Sequence, residues 1–269
     1  MRAHADEVAR YYDENTRRFL ERGEGGGEGV LHRAVWGEGV RSRSEAFHFV
    51  HELILRELER YPSPRILDLG CGVGASLSYL LERRPGEGFG ITVSEAQVEI
   101  ARARKSAVWL KGDFCEGPLP APIDLAYGIE SFVHARDPSA FFRNVSAALG
   151  FGARLVLVDD FLSKGSRDAK LVRRFIDGWH APSLRHPHEV DEIAAKEGLA
   201  LVSDRDLTPM LQLDRPRDWA IGLSVALLRP LGARTPRLQS LFGGNALRGC
   251  LKRGLLSYRF RVWEKREVS

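Results

Sequence analysis

Residues 66–74 read Ile-Leu-Asp-Leu-Gly-Cys-Gly-Val-Gly. An apolar run is interrupted once, by Asp68, and three glycines then alternate at Gly70, Gly72 and Gly74 ahead of a helix-forming stretch over 75–84. Strand, glycine turn and helix in that order make the ligand-cradling corner of a doubly wound α/β sheet. Gly70 permits the tight turn, Gly72 lets backbone approach a ligand, and Gly74 lets the helix pack on the strand.

The pattern beyond the corner agrees. Candidate strands fall at 65–69, 89–93, 107–111, 123–128 and 153–159, and candidate helices at 75–84, 95–105, 138–149 and 167–177. Such alternation predicts a parallel sheet with helices on both faces and ligands at the carboxyl ends of the strands. The tail adds a helix (187–197), a strand (200–204), a helical insertion and a last strand over 255–263. Ahead of the sheet, residues 44–61 make an amphipathic helix with Phe47, Val50, Leu53, Ile54 and Leu58 along one side. The run Gly-Glu-Gly-Gly-Gly-Glu-Gly at 23–29 breaks the helical pattern before it. The division read from this is a helical N-terminal cap (1–60), a ligand-binding core (61–206), a helical insertion or lid (207–250) and a strand completing the core (251–269). As a lid, the insertion closes over the site; as packing or an oligomer contact it has no such role, and the sequence does not separate the two.

Gly70-x-Gly72-x-x-Ala75 also satisfies the dinucleotide spacing. Asp68 argues the other way, because a carboxylate beside an anionic pyrophosphate repels it. S-adenosylmethionine (SAM) carries a sulfonium, an α-ammonium and a carboxylate instead. The block Leu-Asp-Leu-Gly-Cys-Gly-Val-Gly resembles the first motif of class I SAM-dependent methyltransferases. The resemblance implies a Rossmann-like, seven-stranded, mostly parallel sheet with an antiparallel last strand. It also implies SAM as cofactor, with S-adenosylhomocysteine as product.

Further resemblances place the cofactor. Gly90-Ile91-Thr92-Val93-Ser94-x-x-Gln97 resembles cyclopropane-fatty-acid synthases and tocopherol-type C-methyltransferases, in which the Thr and Gln take over ribose binding. A Gln amide both donates and accepts, so the substitution is chemically sound. Ser94 also reads as a helix N-cap and Glu95 as a helix-start charge. Asp113, after Gly112, resembles the family's adenine-reading acid, with Phe114 flanking the ring; a turn residue is the other reading. The implied cofactor set is Asp68, Gly70, Cys71, Gly72, Gly74, Thr92, Gln97, Asp113 and Phe114, with Cys71 filling space rather than reacting.

The chemistry is expected after the fourth strand, at Tyr127-Gly128-Ile129-Glu130-Ser131-Phe132-Val133-His134-Ala135-Arg136-Asp137-Pro138. This block resembles the sterol C-methyltransferase motif. Tyr11-Tyr12-x-x-x-Thr16-x-x-Phe19-x-x-x-Gly23 resembles the N-terminal motif of the same enzymes, and the two matches lie more than a hundred residues apart. The second-strand segment departs from the sterol enzymes, which leaves open another isoprenoid or no isoprenoid. An alkene needs no base before it attacks a sulfonium methyl, but it leaves a carbocation that needs a negative or π-rich wall and then a base. Glu130 is expected to stabilise the cation and His134 to take the proton, the pair sharing one side of a helical turn. Tyr11, Tyr12, Phe19, Trp36, Phe132 and Trp179 are the candidate wall. Arg17, Arg18, Arg33, Arg41 or Arg43 could hold a diphosphate, or simply form a solvated face. Glu130 and His134 equally read as structural residues.

These residues predict C-methylation of an alkene carbon in an isoprenoid-like metabolite. The alternatives are O- or N-methylation of a phenolic or polyketide-like molecule, a SAM-binding protein without methyl transfer, and an NAD-dependent oxidoreductase. The totals narrow the class further. A net charge of +4 comes from scattered arginines, and no basic run with interleaved aromatics points to nucleic acid. The odd number and wide separation of Cys71, Cys115 and Cys250 predict a reducing, cytoplasmic setting without metal ligation. No apolar stretch reaches transmembrane length, a small molecule is the expected partner, and a homo-oligomer is possible.

Overall fold

The computed structural model describes residues 13, 16, 29, 32–164, 166–215, 225 and 236–267. Helix α1 (Arg43–Leu58) precedes β1 (Arg65–Leu69), α2 (Ala75–Arg83), β2 (Glu87–Thr92), α3 (Glu95–Arg102) and β3 (Val108–Lys111). Then follow β4 (Ile123–Ile129), α4 (Pro138–Ala148), β5 (Leu149–Leu162), α5 (Lys170–Trp179), α6 (Pro187–Lys196) and β6 (Leu199–Asp206). Helix α7 (Pro236–Lys252) and β7 (Leu256–Lys265) end the described chain.

The strands form one seven-stranded sheet in the order β3-β2-β1-β4-β5-β7-β6. Strands β1 to β5 are parallel, and β7 runs antiparallel to both β5 and β6. Strand order reverses between β1 and β4, which opens the crevice where α/β sheets bind ligands.

Strand periodicity divides the core in two. Val156 and Val158 of β5 face one layer with Val50 and Ile54 of α1, Leu77 and Leu80 of α2 and Phe175 of α5. Leu155 and Leu157 face the other with Phe141 and Phe142 of α4 and Val190 of α6. Both faces are covered, so β1 is buried along nearly its whole length.

The helix starts follow from the sequence. Ser42 Oγ accepts from Glu45 N at 3.2 Å to cap α1, and Asp137 Oδ1 accepts from Ser139 N and Ala140 N to cap α4, with Pro138 in its first turn. Strand β5 is longer than its apolar run predicts, because its far half, up to Leu162, pairs with β7. Among the described residues, no helix is long and apolar enough to cross a membrane.

Candidate active site

The corner after β1 lies at the β1–β4 switch point. Gly70 has φ +92°, and a Cβ there would fall 2.5 Å from Ser131 Cβ, so the backbone passes directly against the tip of β4. The Gly70 and Cys71 N–H groups both donate to Ile91 O, at 2.9 and 3.0 Å, which ties the corner to β2. Asp68 is buried and accepts from the Tyr127 hydroxyl at 2.7 Å. Burial pushes its carboxyl up to about 7 despite that bond. Burial and the nearby Asp68 hold the Cys71 thiol well above its ordinary value, which leaves it inert.

At the tip of β2, Thr92 Oγ1 donates to Gln97 Oε1 at 2.7 Å and Gln97 Nε2 donates to Thr16 Oγ1 at 3.2 Å. Ser94 is the N-cap of α3, as its sequence position suggests, and accepts from Gln97 N. Its hydroxyl also donates to Asp13 Oδ1 at 2.5 Å. Asp13 therefore brings a carboxylate to the β2 tip, where it accepts from Ser94 and Ala96 N. Asp113 accepts from Cys115 N at 2.8 Å and so does form a turn. Phe114 stands edge-on to Phe141 at 5.3 Å, and its ring edge lies 3.9 Å from where a Gly70 Cβ would be.

Glu130 follows β4 directly and lies in the left-handed region, at φ 52°. This turns its carboxylate toward residues 32–33. Oε1 accepts from Arg33 N at 2.9 Å, Arg33 Nε at 3.0 Å and the Tyr258 hydroxyl at 3.0 Å. Arg33 also grips both oxygens of Asp160, at 3.0 and 2.8 Å, and stacks its guanidinium 4.0 Å from the Tyr258 ring centre. Burial raises Glu130, but Arg33 and its hydrogen bonds prevail and hold it below the usual carboxylate value. Asp159 next door is pushed up to about 8 by burial and by Asp160, and accepts from Val133 N and Asp160 N.

Several expectations are corrected. Glu130 and His134 do not share a helical face: Glu130 precedes the short 3-10 turn at Phe132–His134 and bonds Arg33, while His134 Nδ1 donates to His180 O at 3.1 Å. Arg33 is committed to two carboxylates and cannot grip a diphosphate as well. Arg41 and Arg43 are exposed. Phe132 is 1% exposed and packs on Phe141 and Phe142, so it is core rather than wall. Trp179 fits between α5 and α7, where its Nε1 donates to Ser240 O at 3.1 Å. Trp36 is half-buried, its N–H bonded to Met210 O. Tyr11, Tyr12, Phe19, Arg17 and Arg18 lie outside the described residues.

Asp13, Asp160 and Tyr258 were missed as site residues, and Arg33 was flagged for another role. An acid pair closing the buried run Leu-Val-Leu-Val-Asp159-Asp160 demands a cation, and that signal was legible. Among the described residues, no group of three or more His, Cys, Asp or Glu side chains is placed to hold a metal ion, and all three cysteines are free and buried.

A family described as a methyltransferase domain matches residues 4–204. The chain belongs to this methyltransferase family. The methyltransferase is 29% identical over 191 residues to an O-methyltransferase of Pyrenophora dematioidea, which covers 66% of this chain and 71% of the relative. It is 24% identical over 213 residues to 24-methylenesterol C-methyltransferase 2 of Arabidopsis thaliana, covering 71% of this chain and 59% of the relative. Geranyl diphosphate C-methyltransferase from Streptomyces coelicolor, solved with Mg2+, geranyl diphosphate and S-adenosyl-L-homocysteine, superposes with a TM-score of 0.72 at 18% identity, over 98% of each chain. The seven-stranded sheet with its antiparallel β7 is that of the class I SAM-dependent methyltransferases, and the enzyme's methyl donor is SAM.

Proposed function

We propose that this methyltransferase adds a methyl group to an alkene carbon of an isoprenoid-like small molecule. The observation that carries the reading is a charge imbalance. Glu130 and Asp160 share the single guanidinium of Arg33, so the cluster beside the crevice keeps one net negative charge. An anion whose Oε1 is fixed by three donors suits stabilisation of a developing carbocation better than proton abstraction, because Arg33 holds its proton affinity down. The glycine corner, Thr92, Gln97 and Phe114 are the residues proposed to hold the cofactor, and Asp68 is the carboxylate proposed for its α-ammonium. Bound there, SAM supplies an electrophilic methyl. His134, whose Nδ1–H donates to His180 O, is the proposed proton acceptor. Orienting the alkene in a dry crevice supplies much of the acceleration.

A second reading is O-methylation of a phenolic metabolite, favoured by the name of the Pyrenophora dematioidea relative. Incubation with methyl-labelled SAM and pools of isoprenoids and phenols separates the two. Label on carbon supports the first reading; label on oxygen replaces it with the second. Glu130→Gln should cut turnover at least tenfold while S-adenosylhomocysteine affinity stays within about twofold. Full turnover in this variant would remove Glu130 from the chemistry.

A further inference from the structure

Glu130 is held unevenly. Its three donors among the described residues, Arg33 N, Arg33 Nε and the Tyr258 hydroxyl, all end on Oε1, at 2.9, 3.0 and 3.0 Å. Oε2 accepts from none of the described residues. The side chain keeps 14% of its surface open, and Oε2 is not one of the sealed polar atoms that lack a partner, so the opening reaches it. Ser131, the next residue, presses on Gly70, so Glu130 adjoins the glycine corner.

A carboxylate facing two donors commonly takes one on each oxygen. Arg33 alone offers Glu130 two, its backbone N and Nε, while its Nη1 and Nη2 are spent on Asp160. The third donor decides between the two settings. Tyr258 is fully buried and fixed by its backbone: N donates to Thr208 Oγ1 at 2.8 Å, O accepts from Leu207 N at 2.8 Å, and the residue pairs with Asp160 across the β5–β7 ladder. Its ring carries the Arg33 guanidinium at 4.0 Å. Ring and hydroxyl of one rigid side chain thus meet the arginine and the carboxylate together.

We propose that Tyr258 is a positioning residue: its buried hydroxyl gathers the donors of Glu130 on Oε1 and so presents Oε2 to the positive charge that develops on the acceptor. The inference rests on the reading of Glu130 given above. The role differs from packing. Tyr258→Phe keeps the ring under Arg33 and strands no polar group, because Oε1 retains two donors. What it removes is the third donor. The carboxylate then turns about its Cγ–Cδ bond until each oxygen takes one donor, and Oε2 leaves the opening.

The test uses the full chain with S-adenosylhomocysteine bound. Tetramethylammonium is the cationic probe and tert-butanol the uncharged control, both read by calorimetry. Wild type should bind the cation, and Glu130→Gln should bind it at least tenfold more weakly. Tyr258→Phe should bind it about fivefold more weakly while S-adenosylhomocysteine affinity stays within about twofold. In the Glu130→Gln background, adding Tyr258→Phe should cost nothing further, because the hydroxyl acts only through the carboxylate. Isotope-edited infrared difference spectra with carbon-13 glutamate, wild type against Glu130→Gln, should show widely split carboxylate stretches, the sign of two unequal oxygens. The split should narrow in the Tyr258→Phe background. No cation binding by wild type, wild-type binding in Tyr258→Phe, or an equal loss in the Glu130→Gln background overturns the proposal. Should Tyr258→Phe fail to fold, the wild-type carboxylate still decides, since a narrow split would mean equal oxygens. Methyl transfer does not enter these measurements. Full turnover in Glu130→Gln would end the reading of Glu130, whereas a probe indifferent to Tyr258 would end this inference alone.

Discussion

Arg33 and Glu130 are joined twice: backbone N and Nε of Arg33 both donate to Oε1 of Glu130, at 2.9 and 3.0 Å. The same guanidinium neutralises Asp160, whose side chain is 2% exposed. Arg33→Met therefore strands two carboxylates. Unfolding in urea should show a loss of about 3–5 kcal/mol, the cost of orphaning a buried ion pair. Adding Glu130→Gln to Arg33→Met should recover part of it. Strict additivity of the two substitutions would mean that they do not act through one another.

Asp68, proposed to meet the cofactor's α-ammonium, is buried at a cost in stability. Its carboxyl is raised to about 7, so the cofactor-free protein binds a proton there more tightly than the unfolded chain does. That contribution is complete below the ordinary aspartate value and is lost as pH rises through about 7. Asp68→Asn keeps an acceptor for Tyr127 and removes the penalty. At about pH 8 the variant should melt several degrees higher than wild type and bind S-adenosylhomocysteine at least tenfold more weakly. A lower melting temperature at that pH would show that the charged form is not costly.

Asp113→Asn tests the proposed adenine contact without opening the turn, because the amide oxygen can still accept from Cys115 N. Affinity for S-adenosylhomocysteine should fall about tenfold, and the melting temperature of the free protein should hold. Unchanged affinity would leave Asp113 with its turn alone.

Gly178 on α5 and Gly243 on α7 let two helices touch backbone to backbone: a Cβ on Gly178 would sit 2.7 Å from Gly243 Cα. Gly178→Val should destabilise by about 3 kcal/mol through overpacking. Wild-type melting would mean that α7 is free to shift away.

The sheet was legible because its signals are local. Alternating apolar runs, helix caps and the glycine corner each fall within a short window, and the strands and helices lie within a few residues of their predicted places. The positions of Thr92, Gln97 and Ser94 were readable for the same reason. The partners in the charged cluster were not: Asp159-Asp160 signals the need for a cation, but Arg33, Glu130, Asp160 and Tyr258 come from four distant segments. Glu130 and His134 were misread as partners because helical spacing was assumed where Glu130 has a left-handed backbone. Phe132 and Trp179 show a related limit, since sequence does not distinguish an aromatic facing a cavity from one packed on other aromatics or on glycines.

Strand β7 is the last described element, yet it lies inside the sheet, between β5 and β6. It also brings Tyr258, the hydroxyl donor on Glu130. During synthesis β6 leaves the ribosome with nothing to pair with, and the fourth strand's acid waits for a partner encoded some 130 residues later. A ribosome that stalls before β7 thus releases a chain with an open sheet edge and with Glu130 lacking its hydroxyl donor, so closure of the sheet and completion of the charged cluster come from one event.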